Sequence, residues 1–109
     1  MGARLIDLVT VYATFASAEE AQRIGRSVVE ERLAACVNIL GAATSIYRWN
    51  GALESATECA ALFKTSGQDA ERLVARIADL HSYEVPAIVM WPISHAHGPY
   101  AAWLRDQLH

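Results

Sequence analysis

Apolar and polar positions alternate along this chain in an order that occurs twice. Each half holds a β-rich apolar segment, then apolar residues at helical spacing, then a further β-rich segment. In the first half the helical stripe is Ala21, Ile24, Gly25, Val28, Val29 and Leu33, and in the second it is Ala70, Leu73, Val74, Ile77 and Leu80. The predicted elements are a strand at 5–14, a helix from 17, a long hairpin at 34–51 returning over 53–65, a helix from 66 and a strand at 87–91.

Both helices begin with the same kind of signal. Ser17 followed by Glu20 fits a capping box, in which the hydroxyl and the carboxylate each accept a backbone N–H. Ser66 with Asp69 gives the second helix a capping residue and an acidic first turn. These signals predict where the two helices start.

The stretch at 34–51 is too long to be one ordinary strand. An unbroken strand from Ala34 to Trp49 would span about 50 Å, whereas common strands span about 17–20 Å. Gly41 is therefore predicted to interrupt the strand with a bulge, and Asn50-Gly51 to form a two-residue hairpin turn. Such a hairpin projects from a small domain, and its apolar tip predicts a homo-oligomer because it needs a partner surface.

The order strand, helix, strand, strand, helix, strand predicts an α+β, ferredoxin-like βαββαβ fold. Right-handed crossovers close it as an antiparallel sheet with both helices on one face. Pro99 favours the start of a short C-terminal helix, on which we expect Tyr100, Trp103, Leu104 and Leu108 to line one side. Residues 1–109 are predicted to form one domain.

Composition and charge exclude some partners. Apolar residues make up 53% of the 109 residues and charged residues 19%, against an average charged content of about 25%, which favours burial between subunits. A net charge of −3 with scattered Lys and Arg argues against nucleic acid, and we expect no membrane span. Cys36 and Cys59 lack CxxC spacing, so reduced thiols in the cytoplasm are the expectation.

Several motifs resemble the CutA divalent-cation tolerance family. They are Glu30-Glu31-Arg32-Leu33-Ala34-Ala35-Cys36-Val37-Asn38-Ile39, then Thr44-Ser45-Ile46-Tyr47-Arg48-Trp49-Asn50-Gly51, Lys64-Thr65, His81-Ser82-Tyr83-Glu84-Val85-Pro86 and Tyr100-Ala101-Ala102-Trp103-Leu104. The resemblance covers nearly the whole chain and implies a homotrimer, related in architecture to PII signalling proteins, that binds copper or another divalent cation. The acidic cluster typical of the family after the hairpin is reduced here to Glu54 and Glu58.

Cys36 and His81 are the predicted metal ligands. Thiolate and imidazole suit copper or zinc, and the fold could bring the two residues together within one chain or between copies. In the alternative interpretation, Cys36 is a small buried hydrophobe and His81 a residue favoured at a helix C-terminus. His95 and His97 could share a strand face, but their place between Pro92 and Gly98 favours an exposed loop, and Cys59 is expected in the core.

A second set of residues predicts a cleft between subunits. Lys64, Tyr47, Trp49, Tyr83 and Glu84 could bind a small anionic or polar molecule, as in a PII-like trimer without a physiological metal, or could simply form the subunit interface. No glycine-rich phosphate loop is present. Cys36 and His81 lack an orienting Asn or Asp motif, so the chain is not expected to be an enzyme.

Overall fold

The computed structural model describes residues 7–108. Leu5 and Ile6, which the sequence assigns to the first strand, lie outside the described residues. The elements are β1 (Leu8–Phe15), α1 (Ala18–Glu30), β2 (Cys36–Trp49), β3 (Ala52–Ser66), α2 (Gly67–Leu80), β4 (Ile88–Pro92) and α3 (Gly98–Gln107).

The four strands form one antiparallel sheet in the order β2-β3-β1-β4. Alternate residues of β1 and β3 join the apolar residues of α1 and α2 in one core, so both helices cover the same side of the sheet. We call this side the helix face and the other the open face. The core residues of the helix face are Val9, Val11, Ala13, Phe15, Ala21, Ile24, Val28, Ala34, Cys59, Ala61, Phe63, Ala70, Leu73 and Ile77. The predicted α+β order and the core position of Cys59 are confirmed.

The predicted helix starts are also confirmed. Ser17 Oγ accepts the Glu20 N–H at 3.1 Å, and Ser66 Oγ accepts the Asp69 N–H at 3.1 Å. Glu20 departs from a standard capping box, because its Oε1 accepts the N–H of Ala16 at 3.1 Å rather than that of Ser17.

Gly41 ends a one-residue bulge in β2, as its position in the strand predicts. Ile39 pairs with Ala61 and Gly41 with Ala60, so Leu40 is an extra residue. The bulge reverses the alternation along β2. Odd-numbered residues before it lie on the helix face, whereas those after it, including Tyr47 and Trp49, lie on the side that continues the open face.

The third helix packs on the open face at one end. Its buried residues Ala101, Leu104 and Leu108 join Leu8 and Ala35 in a second core. Of the four residues predicted to line one side of this helix, Leu104 and Leu108 are buried, whereas Tyr100 and Trp103 are exposed. The two exposed rings stack on each other, with 5.9 Å between their centroids.

The long hairpin makes one chain elongated and leaves much apolar surface uncovered. The principal extents are 50 × 25 × 21 Å, and the radius of gyration is 14.9 Å, against about 13 Å for a compact domain of this length. Exposed large hydrophobic residues occur at the hairpin, in the loop after α2, on β4 and on α3. They are Leu40, Ile46, Tyr47, Trp49, Leu53, Val85, Val89, Met90, Trp91, Tyr100 and Trp103.

Candidate functional site

His81 caps the C-terminal end of α2 and is held on both sides of its ring. Its Nε2 lies 2.7 Å from the carbonyl oxygen of Thr14, and its Nδ1 accepts the N–H of Tyr83 at 3.0 Å. Nε2 can donate to this carbonyl while Nδ1 accepts from the backbone, so both ring nitrogens have hydrogen-bond partners. The side chain is fully buried and stacks on Phe15 at 4.9 Å. In this arrangement, neither ring nitrogen is free to bind a metal.

Cys36 lies at the opposite end of the sheet. Across the sheet, Cys36 is level with Thr10 of β1, because both residues pair with Lys64. His81 instead contacts Thr14, which lies four residues further along β1. Four residues of strand span about 13 Å, so one chain does not bring Cys36 and His81 together. Among residues 7–108, no group of three or more His, Cys, Asp or Glu side chains is placed to hold a metal ion.

The Cys36 thiol is half-buried and reachable. It lies 3.7 Å from the hydroxyl of Tyr100 and lines a groove of about 520 Å³ between α1 and β2. Gly25 lets the helix approach this strand closely, because a Cβ at that position would lie 2.9 Å from Cγ1 of Val37. Cys36 thus packs partly against the second core and partly lines this open groove.

Four of the five predicted cleft residues line one cavity of about 440 Å³. Tyr47 and Trp49 come from β2 beyond the bulge, and Tyr83 and Glu84 from the loop after α2. We call this space the hairpin cavity. Its remaining lining residues are Thr14, Glu58, Val85 and Ala87.

Glu58 connects the two walls of the hairpin cavity. Its Oε1 accepts a hydrogen bond from Ser45 Oγ at 2.6 Å, and its Oε2 accepts one from Tyr83 Oη at 2.9 Å. Burial and this contact with Glu58 raise the pKa of Tyr83 to about 12, which keeps the phenol protonated as a donor. The sequence places Glu58 in the acidic cluster but gives no sign of Tyr83, 25 residues away, as its partner.

Lys64 does not belong to this cavity. Its Nζ donates to Asn38 Oδ1 at 3.1 Å, and its strand position is opposite Cys36. The described residues that line the hairpin cavity include two carboxylates and no lysine or arginine. Within one chain, the predicted cleft residues other than Lys64 thus line a cavity of negative charge, which does not suit an anionic ligand.

His95 and His97 lie in the loop between β4 and α3 and are exposed, as their flanking Pro92 and Gly98 predict. His97 occupies the N-cap position of α3 without a side-chain capping bond. None of the helices within residues 7–108 is long and apolar enough to cross a membrane.

The comparison with known families agrees with this fold and these motifs. The family model of the CutA1 divalent ion tolerance protein matches residues 9–107. The chain belongs to the CutA1 family. It is 45% identical over 96 residues to the divalent-cation tolerance protein CutA of Thermus thermophilus, covering 88% of this chain and 93% of that protein. Human protein CutA is 36% identical over 95 residues, and the match covers 87% of this chain and 53% of the human protein.

Solved structures of CutA proteins share the whole architecture. The CutA of Xylella fastidiosa superposes with a TM-score of 0.92 at 32% identity, covering 94% of this chain and 99% of that one. The periplasmic divalent cation tolerance protein CutA of Archaeoglobus fulgidus gives a TM-score of 0.90 at 33% identity, with the same coverage. The fold of this chain is thus the CutA fold, built on a sheet of four antiparallel strands with three helices.

Proposed function

We propose that this CutA family member is a homotrimer that binds copper or another divalent cation and acts in the response to such ions. The observation that carries the proposal is the family match over residues 9–107, together with relatives described as divalent-cation tolerance proteins. Binding of the cation by the protein itself is the simplest physical basis for such a response.

The uncovered apolar surface supports assembly. Ile46 and Leu53 on the long hairpin are 69% and 71% exposed, and Trp91 on the edge strand β4 is 45% exposed. A soluble monomer rarely leaves so many large apolar side chains in water. Both edge strands, β2 and β4, also present backbone groups that a neighbouring chain can pair with.

Assembly bears on the metal site as well. Cys36 and His81, the predicted ligands, lie apart within one chain, so a shared site requires residues from different copies. The half-buried Cys36 thiol needs little rearrangement, whereas His81 must first release Tyr83 or Thr14. Cys36 is accordingly the stronger of the two candidates.

Copper titration of four proteins tests the ligands. Cys36→Ala should lower copper affinity, and Cys36→Ala with His81→Ala should lower it further, whereas Cys59→Ala is the matched control because its thiol is buried in the core. Thermal unfolding must accompany the titration, since loss of His81 leaves the buried Thr14 carbonyl and the Tyr83 N–H without their partner. Unchanged affinity in the double variant would place the site elsewhere, with His95 and His97 next to be replaced.

Light scattering tests the assembly. The expected mass is three times the 11.9 kDa of one chain, at micromolar concentration. A folded species of 11.9 kDa under those conditions would refute the trimer. The cytoplasmic location stays a prediction that rests on the two free thiols.

One observation favours the second candidate function, a PII-like trimer with a small-molecule ligand and no physiological metal. Tyr47, Trp49, Tyr83 and Glu84 line a single cavity, as a ligand site requires. A thermal-shift screen of metals and metabolites separates the candidates, because only a ligand that binds the folded protein raises its unfolding temperature.

A further inference from the structure

The chemistry of the hairpin cavity identifies the class of molecule that fits it. The cavity measures about 440 Å³, within the range of about 300–1,000 Å³ typical of small-molecule sites. Three of its lining residues are aromatic, namely Tyr47, Trp49 and Tyr83, and two are acidic, Glu58 and Glu84. Aromatic faces and carboxylates both attract positive charge.

We propose that the hairpin cavity binds a free small organic cation of the alkylated ammonium class. This site is separate from the proposed metal site, because Cys36 does not line it. The argument rests on the charge of the lining, on the hydrogen bonds that Glu58 already accepts, and on the exposed ring of Trp49.

The existing hydrogen bonds of Glu58 favour an alkylated ammonium over other cations. Each of its oxygens already accepts one bond, from Ser45 and from Tyr83. Part of the hydrogen-bonding capacity of this half-buried carboxylate is thus already used. An alkylated ammonium needs only the field of such a charge and contact with aromatic faces, since it has few or no N–H donors to satisfy.

The lining of the hairpin cavity disfavours anions and bare divalent ions as its ligands. An anion would meet two carboxylates without a lysine or arginine among the described lining residues. A bare divalent ion prefers several oxygen ligands, but the residues described in 7–108 place no group of three acidic, histidine or cysteine side chains together. Trp49 is 55% exposed in one chain, and a cation with apolar methyl groups would cover part of that ring.

Calorimetric titration of the assembled protein with choline tests the proposal, in buffer that contains EDTA. We expect choline to bind, and its neutral carbon analogue 3,3-dimethyl-1-butanol to bind about tenfold more weakly or not at all. Both molecules have the same shape, so the comparison measures the effect of the charge. Equal binding of the two, or no binding of choline, would overturn the proposal.

Substitutions locate the binding in the cavity. Glu58→Gln and Trp49→Ala should each weaken choline binding about tenfold, and Trp49→Phe should restore most of it by keeping an aromatic face. Glu54→Gln is the matched control, because Glu54 lies on the same side of β3 as Glu58 but does not line the cavity. Cavity variants that bind choline as well as the wild type would contradict the site.

Two further results separate this proposal from the metal proposal. Cys36→Ala should leave choline binding unchanged even if it abolishes copper binding. Choline binding could instead be lost in Cys36→Ala, or be seen without EDTA and lost with it. Either result would mean that choline binding requires a bound metal, and the cavity proposal would then be wrong. Light scattering on each variant measures its assembly, and only variants that keep the wild-type mass are compared in the titrations.

Discussion

Replacement of Glu20 by glutamine should destabilise the fold, because this carboxylate joins two segments that are far apart in sequence. Its Oε1 accepts the N–H of Ala16 at 3.1 Å, and its Oε2 accepts the N–H of Ser82 at 2.7 Å. Glu20 is 5% exposed. The residue therefore fastens the start of α1 to the loop that carries Tyr83 into the hairpin cavity.

The magnitude follows from those two hydrogen bonds. A glutamine side chain has one acceptor oxygen, so it can keep one of the bonds but must turn its NH₂ group toward the other N–H. Losing a hydrogen bond to a buried charged group costs about 1.5–3 kcal/mol. We expect Glu20→Gln to lower the free energy of unfolding by about 2 kcal/mol at neutral pH.

The difference should depend on pH in a defined direction. Burial acts to raise the pKa of Glu20, but the hydrogen bonds from Ser82 and Ala16 outweigh it and hold the pKa below its ordinary value of 4.5. A carboxyl group with a lowered pKa contributes stability that is fully present above pH 4.5 and is lost as the pH falls through the folded-state value. Glutamine does not titrate, so the gap between the two proteins should narrow below pH 4.5.

Urea unfolding followed by tryptophan fluorescence measures both effects. Protein concentration must be the same throughout, because the stability of an assembly depends on it. Glu19→Gln is the matched control, since Glu19 lies in the same first turn but is exposed, and it should change the free energy by no more than about 0.5 kcal/mol. Equal stability of Glu20→Gln and wild type at neutral pH, or a gap that stays constant to pH 3 or so, would refute the reasoning.

Three further predictions concern the packing, the assembly and the metal. Gly25→Ala should destabilise by about 1–3 kcal/mol, because its Cβ would lie 2.9 Å from Val37, and Val37→Ala in the same chain should recover part of the loss in thermal unfolding. Trp49→Asp should weaken the trimer, which sedimentation velocity would detect as a shift to lower mass; an unchanged mass would show that Trp49 is not at the interface. Copper affinity should fall as the pH is lowered, because protons compete with a metal for thiol and imidazole ligands, and a flat pH profile would argue against Cys36 and His81 as ligands.

Local sequence signals predict the elements of this fold because short-range physics determines them. Ser17 and Ser66 mark the helix starts through bonds to residues three positions away. Asn50 and Gly51 mark the hairpin turn because both adopt positive φ, of 51° and 80°. At α3 the sequence does not show which of its large apolar residues meet the sheet, since Leu104 is buried but Tyr100 and Trp103 are exposed.

The candidate site was less predictable because its contacts are long-range. Tyr47, Trp49, Tyr83 and Glu84 meet only after the hairpin folds against the loop that follows α2. The sequence also suggests Lys64 as a cleft residue. Its place on β3, however, pairs it with Cys36 on β2 and puts its side chain beside Asn38, away from the cavity. Register decides such neighbours, and a one-residue bulge changes which side every later residue of the strand faces.

The bulge itself gives the last prediction. Gly41 has φ of +101°, a conformation that side chains rarely adopt, and nothing lies within 4 Å of the position where its Cβ would be. Gly41→Ala should therefore destabilise the chain by about 1–3 kcal/mol through backbone strain alone. Gly98→Ala is the matched control, because its Cβ would also meet open space but its backbone has no positive φ, so this change should be neutral or slightly stabilising. The loss in Gly41→Ala should appear in chemical unfolding as a lower midpoint than that of the wild type. Equal stability of the two variants would show that β2 reaches the hairpin cavity without the strained conformation at Gly41.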